Sequence, residues 1–315
     1  MKKSPWSYIA IAMLLFFGGS ILFLGGSCVS LLQRKEVRVD KPGILAMDLS
    51  GVILESKSFV KKLKKYREDE NIKAIVIRVN SPGGAVGPSQ EIYEEIKHTR
   101  EKYKLPVVMS VESLAASGAY YAAAGADFVI AQPGSLIGSI GVIMEFINLK
   151  DLYSWAKVER YSIKTGPFKD IGADYRPMRP DEKALLQTVI NDVYMQFKKA
   201  VADGRKLTLE KVNTLADGRI LTGKMAQESG LVDQLGSFKD AIAKASEMAQ
   251  LGEDPEVFEI PRTPRNLFEF LEEMNEEEAE STAQIARQMI DDFLQLKLSG
   301  QPLLIYSGAV RAFSH

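Results

Sequence analysis

Residues 113–129 read SLAASGAYYAAAGADFV. Small side chains crowd around Ser117, whose hydroxyl falls between Ala116 and Gly118 just where an apolar run of helical character begins. A buried helix start explains the small side chains. It does not explain a polar group at the first turn, where backbone N–H groups lack partners and the helix dipole favours negative charge. The stretch therefore leaves two roles open for Ser117, cap or nucleophile.

Outward from this stretch, apolar β-prone runs alternate with helical patterns. ILAMDL (44–49), KAIVIRV (73–79), PVVMSV (106–111) and DFVIA (127–131) read as buried strands, and the charged amphipathic runs 56–70 and 88–104 as the helices between them. That order predicts an α/β domain with mainly parallel strands and helices on the sheet faces. Beyond Pro180 the pattern turns helical, in DEKALLQTVINDVYMQFKKAVADG (181–204) and TLEKVNTLAD (208–217). These helices either cover the core or contact a neighbouring subunit. The last part is acidic and helix-prone over 267–298, then apolar in PLLIYSGAV (302–310) after Ser299, Gly300 and Gln301.

At 315 residues the chain is long enough for one large or two modest domains, and its net charge of −1 gives no basic footprint for nucleic acid. A single cysteine, Cys28, excludes an internal disulfide framework and a cysteine-based zinc cluster; two histidines, His98 and His315, argue against a histidine-rich metal site. Residues 8–29, YIAIAMLLFFGGSILFLGGSCV, carry no charge. At ~1.5 Å rise per residue they are long enough to cross a bilayer core of ~30 Å. A cleavable signal peptide normally has a shorter apolar region and an A-x-A-like site, which is missing here. The expectation is an uncleaved anchor. Lys2 and Lys3 precede the span while Arg34, Lys35, Arg38 and Lys41 follow it, so the positive-inside count alone places the remaining chain in the cytoplasm.

Three further motifs bear on chemistry. NSPGGAVG (80–87) puts two glycines after a proline at the carboxyl end of an apolar strand. Without a Cβ the backbone can approach a ligand and present an N–H, as an oxyanion hole requires, although a tight turn is the plainer reading. His98 sits in a charged helical run and His315 is the last residue, which argues against a Ser-His-Asp triad as the source of a base for Ser117. The remaining familiar base is a lysine held neutral by burial or by its neighbours. Lys169, in YSIKTGPFKDIGADYRPM (161–178) beyond an expected strand, is flanked by Pro167, Phe168 and Ile171. GSLIGSIGV (134–142) adds a glycine-rich loop in which Ser135 or Ser139 can direct a hydrogen bond.

Taken together, ASGAYYAA, GSIG, GPFKDIG, NSPGG and DGRILTGKMAQESGLVDQLG (217–236) resemble the signal peptide peptidase A family, in the family's order and in single copy, over about residues 43–250. These are membrane-anchored serine proteases with a fold like that of the Clp protease and the crotonases, built of repeated β-β-α units. The resemblance implies Ser117 as nucleophile, Lys169 as general base, Ser139 as the hydroxyl orienting the lysine, and the backbone N–H groups of Gly84 and Gly118 as oxyanion hole. Ser81 is then structural. It implies no metal and no cofactor, hydrophobic peptides such as remnant signal peptides as substrates, and a homo-oligomer, tetramer or octamer, with shared sites. Against the lysine and arginine count, it also implies a catalytic domain on the extracytoplasmic side of the inner membrane.

The expected organisation is a cytoplasmic stub and anchor (1–30), a linker (31–42), a Ser-Lys peptidase domain (43–250) and a helical C-terminal extension with tail (251–315). The competing functions are a crotonase-like acyl-CoA enzyme and an inactive membrane scaffold. One expectation concerns the tail: PLLIYSGAV has the apolar, small-residue character of a peptide able to lie in its own enzyme's groove.

Overall fold

The computed structural model describes residues 39–260 and the backbone of a short strand at 303–305. The expected span at 8–29, Cys28, the acidic stretch 267–298 and His315 lie outside the described residues. Among the described residues no helix is long and apolar enough to cross a membrane.

The chain opens with β1 (Gly43–Ser50), α1 (Lys57–Arg67), β2 (Ile72–Ser81), β3 (Gly83–Ala85), α2 (Val86–Tyr103) and β4 (Val107–Ala116). It continues through α3 (Gly118–Ala123), β5 (Phe128–Ala131) and β6 (Leu136–Gly138) to α4 (Lys150–Trp155), α5 (Pro180–Arg205) and α6 (Leu209–Leu215). Then come β7 (Ile220–Thr222), α7 (Gly223–Ser229), β8 (Gln234–Leu235), α8 (Phe238–Ala249), β9 (Glu256–Glu259) and β10 (Leu303–Ile305). β2, β3 and α2 form one β-β-α unit of the expected kind.

The main sheet runs β7-β6-β4-β2-β1-β9, and β5 bridges β4 to β8. All its pairings are parallel except β6 with β7. β4 is the pivot. Its Val108–Val111 stretch pairs with β5, and its last residues, Leu114 to Ala116, pair with β6. Strands buried on both faces read as continuous apolar runs rather than alternating ones, and Ala74, Ile75, Val76 and Ile77 are accordingly all fully buried. On one face Ala241 and Ala245 of α8 close over Ile44, Val76, Val108 and Ile130. α1 and α2 bury Leu63, Ile92 and Ile96.

The expected strands and helices up to residue 131 are all present. Two features differ. No strand forms before Lys169: residues 158–164 find no sheet neighbour among the described residues, and between β6 and α5 the regular element is α4. In addition, not one residue from 141 to 181 is buried within the chain. α5 extends this exposure, since Phe197 and Val201 near its C-terminal end are buried while Leu185, Val189 and Met195 stand at least partly free.

Candidate active site

Three motifs far apart in sequence meet at the carboxyl ends of three adjacent parallel strands, β2, β4 and β6. Ser81 at the end of β2 pairs with Ala115 of β4, and Ala116 pairs with Gly138 of β6. Ligands of open α/β sheets bind outside this edge.

Ser117 connects β4 to α3 in a single residue. Its backbone takes φ 53° and ψ −119°, a region costing about 1–3 kcal/mol for a residue with a side chain. Its N–H donates to the Gly138 carbonyl at 2.8 Å and its own carbonyl accepts the first helical bond, from Tyr121 N at 2.8 Å. The hydroxyl caps nothing. It is buried, with the residue 1% exposed, and Oγ has no hydrogen-bond partner among the described residues. Most buried polar atoms are satisfied; this hydroxyl is an exception, and it sits in a strained turn without capping the helix.

The helix behind it is fixed. Tyr120 donates its hydroxyl to the Leu231 carbonyl at 2.8 Å, and burial pushes that phenol well above its ordinary range. Tyr121 lies edge-on to Tyr93 and stacks on Phe197 of α5 with ring centres 4.7 Å apart. Gly118, the first residue of α3, carries one of the N–H groups that have no acceptor within the helix.

Gly84 lies in β3, beside α3. Ile53 N donates to the Gly83 carbonyl at 2.9 Å and Ala85 N to the Ile53 carbonyl at 2.8 Å. Since N–H groups alternate along a strand, that of Gly84 points to the opposite side. A Cβ at Gly84 would collide with the Ile53 carbonyl oxygen, so only glycine fits. On the free side β10 pairs antiparallel with β3, Leu304 opposite Gly84. Ser81 holds the turn as expected of a structural residue: Oγ donates to the Gly51 carbonyl at 2.6 Å and accepts from Gly83 N at 3.1 Å.

Ser139 follows Gly138 directly, at φ 49°, and is 8% exposed. Its N–H donates to the Arg219 carbonyl at 2.8 Å, which ties the GSIG loop to the DGR segment; its hydroxyl has no hydrogen bond among the described residues. Ser135 is structural, its hydroxyl donating to the Glu112 carbonyl at 2.7 Å. His98 is exposed on α2, edge-on to Tyr103.

The sequence reading relies on burial or neighbouring groups to hold the Lys169 amine neutral, yet within the single chain Lys169 is exposed and has no hydrogen bond or ion pair among the described residues. Its turn, in contrast, is tightly held. Arg176 spans from Asp170 to Glu182, with Nη1 and Nη2 on the Glu182 carboxylate at 2.8 and 2.5 Å and Nε on Asp170 Oδ2 at 3.2 Å. Lys164 also binds Asp170, and Arg179 reaches both Glu182 and the Pro167 carbonyl. The Arg176 bond, joined by the Arg179 N–H, holds the Glu182 carboxyl down to about 2; Arg176 and Lys164 together keep Asp170 well below the usual carboxylate range. Sequence reasoning missed this cluster. Its trace is Arg179, Pro180 and Glu182 at the start of α5, where a proline at N1 and a glutamate at N3 mark a helix terminus.

Among the described residues no group of histidine, cysteine or acidic side chains is arranged to hold a metal ion.

The chain matches the profile of Peptidase family S49 over residues 99–252 and that of Clp protease over residues 52–139. It is 38% identical over 277 residues to a provisionally named protease of Synechocystis sp., covering 87% of this chain and 96% of the relative. It is 37% identical over 216 residues to a provisionally named signal peptide peptidase SppA of Enterococcus faecium, covering 67% and 62%. To the chloroplastic serine protease SPPA of Arabidopsis thaliana it is 33% identical over 233 residues, covering 74% of this chain but 32% of the plant protein. The mixed α/β sheet is thus of the Clp protease type.

Proposed function

Because the chain belongs to peptidase family S49 and is a serine peptidase, we propose that it cleaves peptides through a Ser117–Lys169 dyad. The observation that carries the reading is the Ser117 hydroxyl: buried, unpartnered among the described residues and set in a strained strand-to-helix turn. Neutral Lys169 takes the Ser117 proton and Oγ attacks the scissile carbonyl. The developing oxyanion accepts hydrogen bonds from Gly84 N–H and Gly118 N–H, each worth about 3 kcal/mol. Protonated Lys169 then gives its proton to the leaving amine, and water hydrolyses the acyl-enzyme with the same base. Ser139, one residue beyond the Ser117 N–H acceptor, orients the lysine amine.

The substrates are extended hydrophobic peptides, remnant signal peptides foremost. An extended peptide binds a free strand edge by backbone hydrogen bonds, and the pairing of β10 with β3 supports this mode, since it lays an extended segment beside Gly84. Residues 8–29 anchor the enzyme in the inner membrane, with the peptidase domain on the extracytoplasmic side.

The enzyme works as a homo-oligomer, a tetramer or octamer. Residues 141–181 have no buried member, and Trp155, Tyr161 and Ile163 are 81%, 79% and 97% exposed. Apolar side chains in such number beside the lysine turn fit a surface that a second copy covers, which would also desolvate Lys169.

A fluorophosphonate probe tests the assignment. We expect labelling of the full-length enzyme, none of Ser117→Ala, and loss of peptide cleavage in Lys169→Ala. An assembled wild-type sample that neither labels nor cleaves would point instead to an acyl-CoA enzyme or a scaffold.

A further inference from the structure

The turn that carries Lys169 is fixed on both sides of the lysine and not at the lysine itself. On one side the Pro167 carbonyl accepts from Arg179 Nη2 at 2.9 Å and from Lys164 Nζ at 3.3 Å. The Arg179 guanidinium stands 5.9 Å from the centre of the Phe168 ring. On the other side Asp170 is held through its carboxylate, which also pairs with Lys164, and through its backbone carbonyl. Its carboxylate receives Arg176 Nε and Tyr175 OH, each at 3.2 Å, and its backbone carbonyl receives Arg176 Nη2 at 3.2 Å. Both clamps end on one carboxylate. Glu182, whose side chain has no solvent exposure, takes the fork of Arg176, the guanidinium of Arg179 at 2.9 Å and the Arg179 N–H at 2.9 Å. Between the clamps the lysine amine has no hydrogen bond or ion pair among the described residues.

A single buried carboxylate gathering two arginines is an expensive way merely to begin a helix. Serine, threonine or aspartate caps do that with one hydrogen bond. What the cluster adds is geometry: a planar, bidentate arginine fixes distance and angle together, which a lysine at the same place would not do. We propose that Arg176 and Glu182 are positioning residues for Lys169, fixing the turn at Asp170 and Pro167 so that the free amine is presented to the reacting serine in one orientation. The inference rests on Lys169 being the general base. It requires no contact of Arg176 or Glu182 with substrate.

The test compares full-length wild type with Arg176→Lys, the double variant Arg176→Met/Glu182→Gln and Lys169→Ala. The double variant removes both charges together, which avoids stranding one of them in a buried site. Thermal midpoint and oligomer size are measured beside kcat and KM for a fluorogenic peptide. A misplacement of about 1 Å costs on the order of 100-fold in rate. We therefore expect kcat to fall about 10-fold in Arg176→Lys and about 100-fold in the double variant, with KM within about twofold of wild type. The rate of fluorophosphonate labelling at Ser117 should fall in parallel with kcat. A purely structural cluster would lower the thermal midpoint and leave kcat unchanged well below it. Wild-type kcat in the folded double variant, beside an inactive Lys169→Ala, overturns the positioning role alone. Full activity of Lys169→Ala overturns the dyad and this inference together. Should the double variant fail to assemble, Arg176→Lys decides, because it keeps the charge and loses only the fork.

Discussion

Ser117 donates its backbone N–H to the carbonyl of Gly138 at 2.8 Å, so the orientation of the strained serine depends on the neighbouring strand as well as on its own helix. Gly138 accepts this bond from φ 102°, and an added Cβ would stand 3.2 Å from the Arg219 carbonyl. Gly138→Ala should therefore cost about 1–2 kcal/mol of backbone strain and turn the acceptor away from Ser117. We expect a lower thermal midpoint and a kcat reduced about 10- to 100-fold. Gly134→Ala is the control: its φ is ordinary and nothing lies within 4 Å of the new Cβ. Equal kcat in the two variants would show that the Gly138 bond does not set the serine.

Gly84→Ala probes the oxyanion donor. The new methyl collides with the Ile53 carbonyl, itself bound to Ala85 N at 2.8 Å, so β3 must shift and carry the Gly84 N–H with it. Loss of one such donor costs about 10²- to 10³-fold in kcat. Circular dichroism should remain that of the wild type. A kcat within a factor of three of wild type would remove Gly84 from the oxyanion hole.

What the sequence made legible, and what it did not, divides along a physical line. β1, β2, β4 and β5 announce themselves because each is an apolar run buried on both faces by its own chain, and the strand-end motifs follow from their glycines. The surroundings of Lys169 were not legible. YSIK has strand-like residues, yet among the described residues no strand lies beside it, and strand-like composition alone does not supply a pairing partner. The Arg176–Glu182 fork was equally hidden, because alternating charges ahead of a helix look the same whether they are solvated or clamped together. The Ile53 strap, which leaves only one side of Gly84 free, depends on a backbone pairing that side-chain patterns do not encode.

Acid stability should report the Glu182 cluster. The folded-state value is about 2 against an ordinary 4.5, so the carboxylate contributes stability that is fully present above about pH 4.5 and lost as pH falls toward 2. The difference in thermal midpoint between wild type and Glu182→Gln should be largest above pH 4.5 and close steadily below it. Asp170 and Asp217 also titrate low, but they do so in both proteins. A difference that stays constant from pH 6 to pH 2 would mean that Glu182 is not held ionised.

Subunit sharing is testable by complementation. If the exposed 141–181 segment of one copy packs on another, Lys169 of one chain can serve Ser117 of the next. Mixing inactive Ser117→Ala chains with inactive Lys169→Ala chains should then restore part of the activity when the oligomers are dissociated and reassembled together. Trp155→Glu, at an apolar side chain 81% exposed in the single chain, should reduce assembly and activity in parallel. Full activity from a species that sediments as a monomer would reject the shared site.

The tail gives the last prediction. Leu303, Leu304 and Ile305 lie antiparallel to Ala85, Gly84 and Gly83, on the side of β3 left free by Ile53 and alongside α3. Under the proposed function, that is the edge along which an extended peptide substrate lies. The sequence reading expected such an occupant from PLLIYSGAV, whose apolar and small residues match the proposed substrate class. A tethered segment has an effective concentration in the millimolar range, so even weak pairing competes with an added peptide. Deleting residues 300–315 should lower the apparent KM for a short fluorogenic peptide several-fold and leave kcat unchanged. Leu304→Pro should act in the same direction, because proline has no N–H for the ladder, and it leaves the tail's length intact. An unchanged KM in both variants, with the oligomer correctly assembled, would show that the pairing of β10 with β3 does not obstruct substrate.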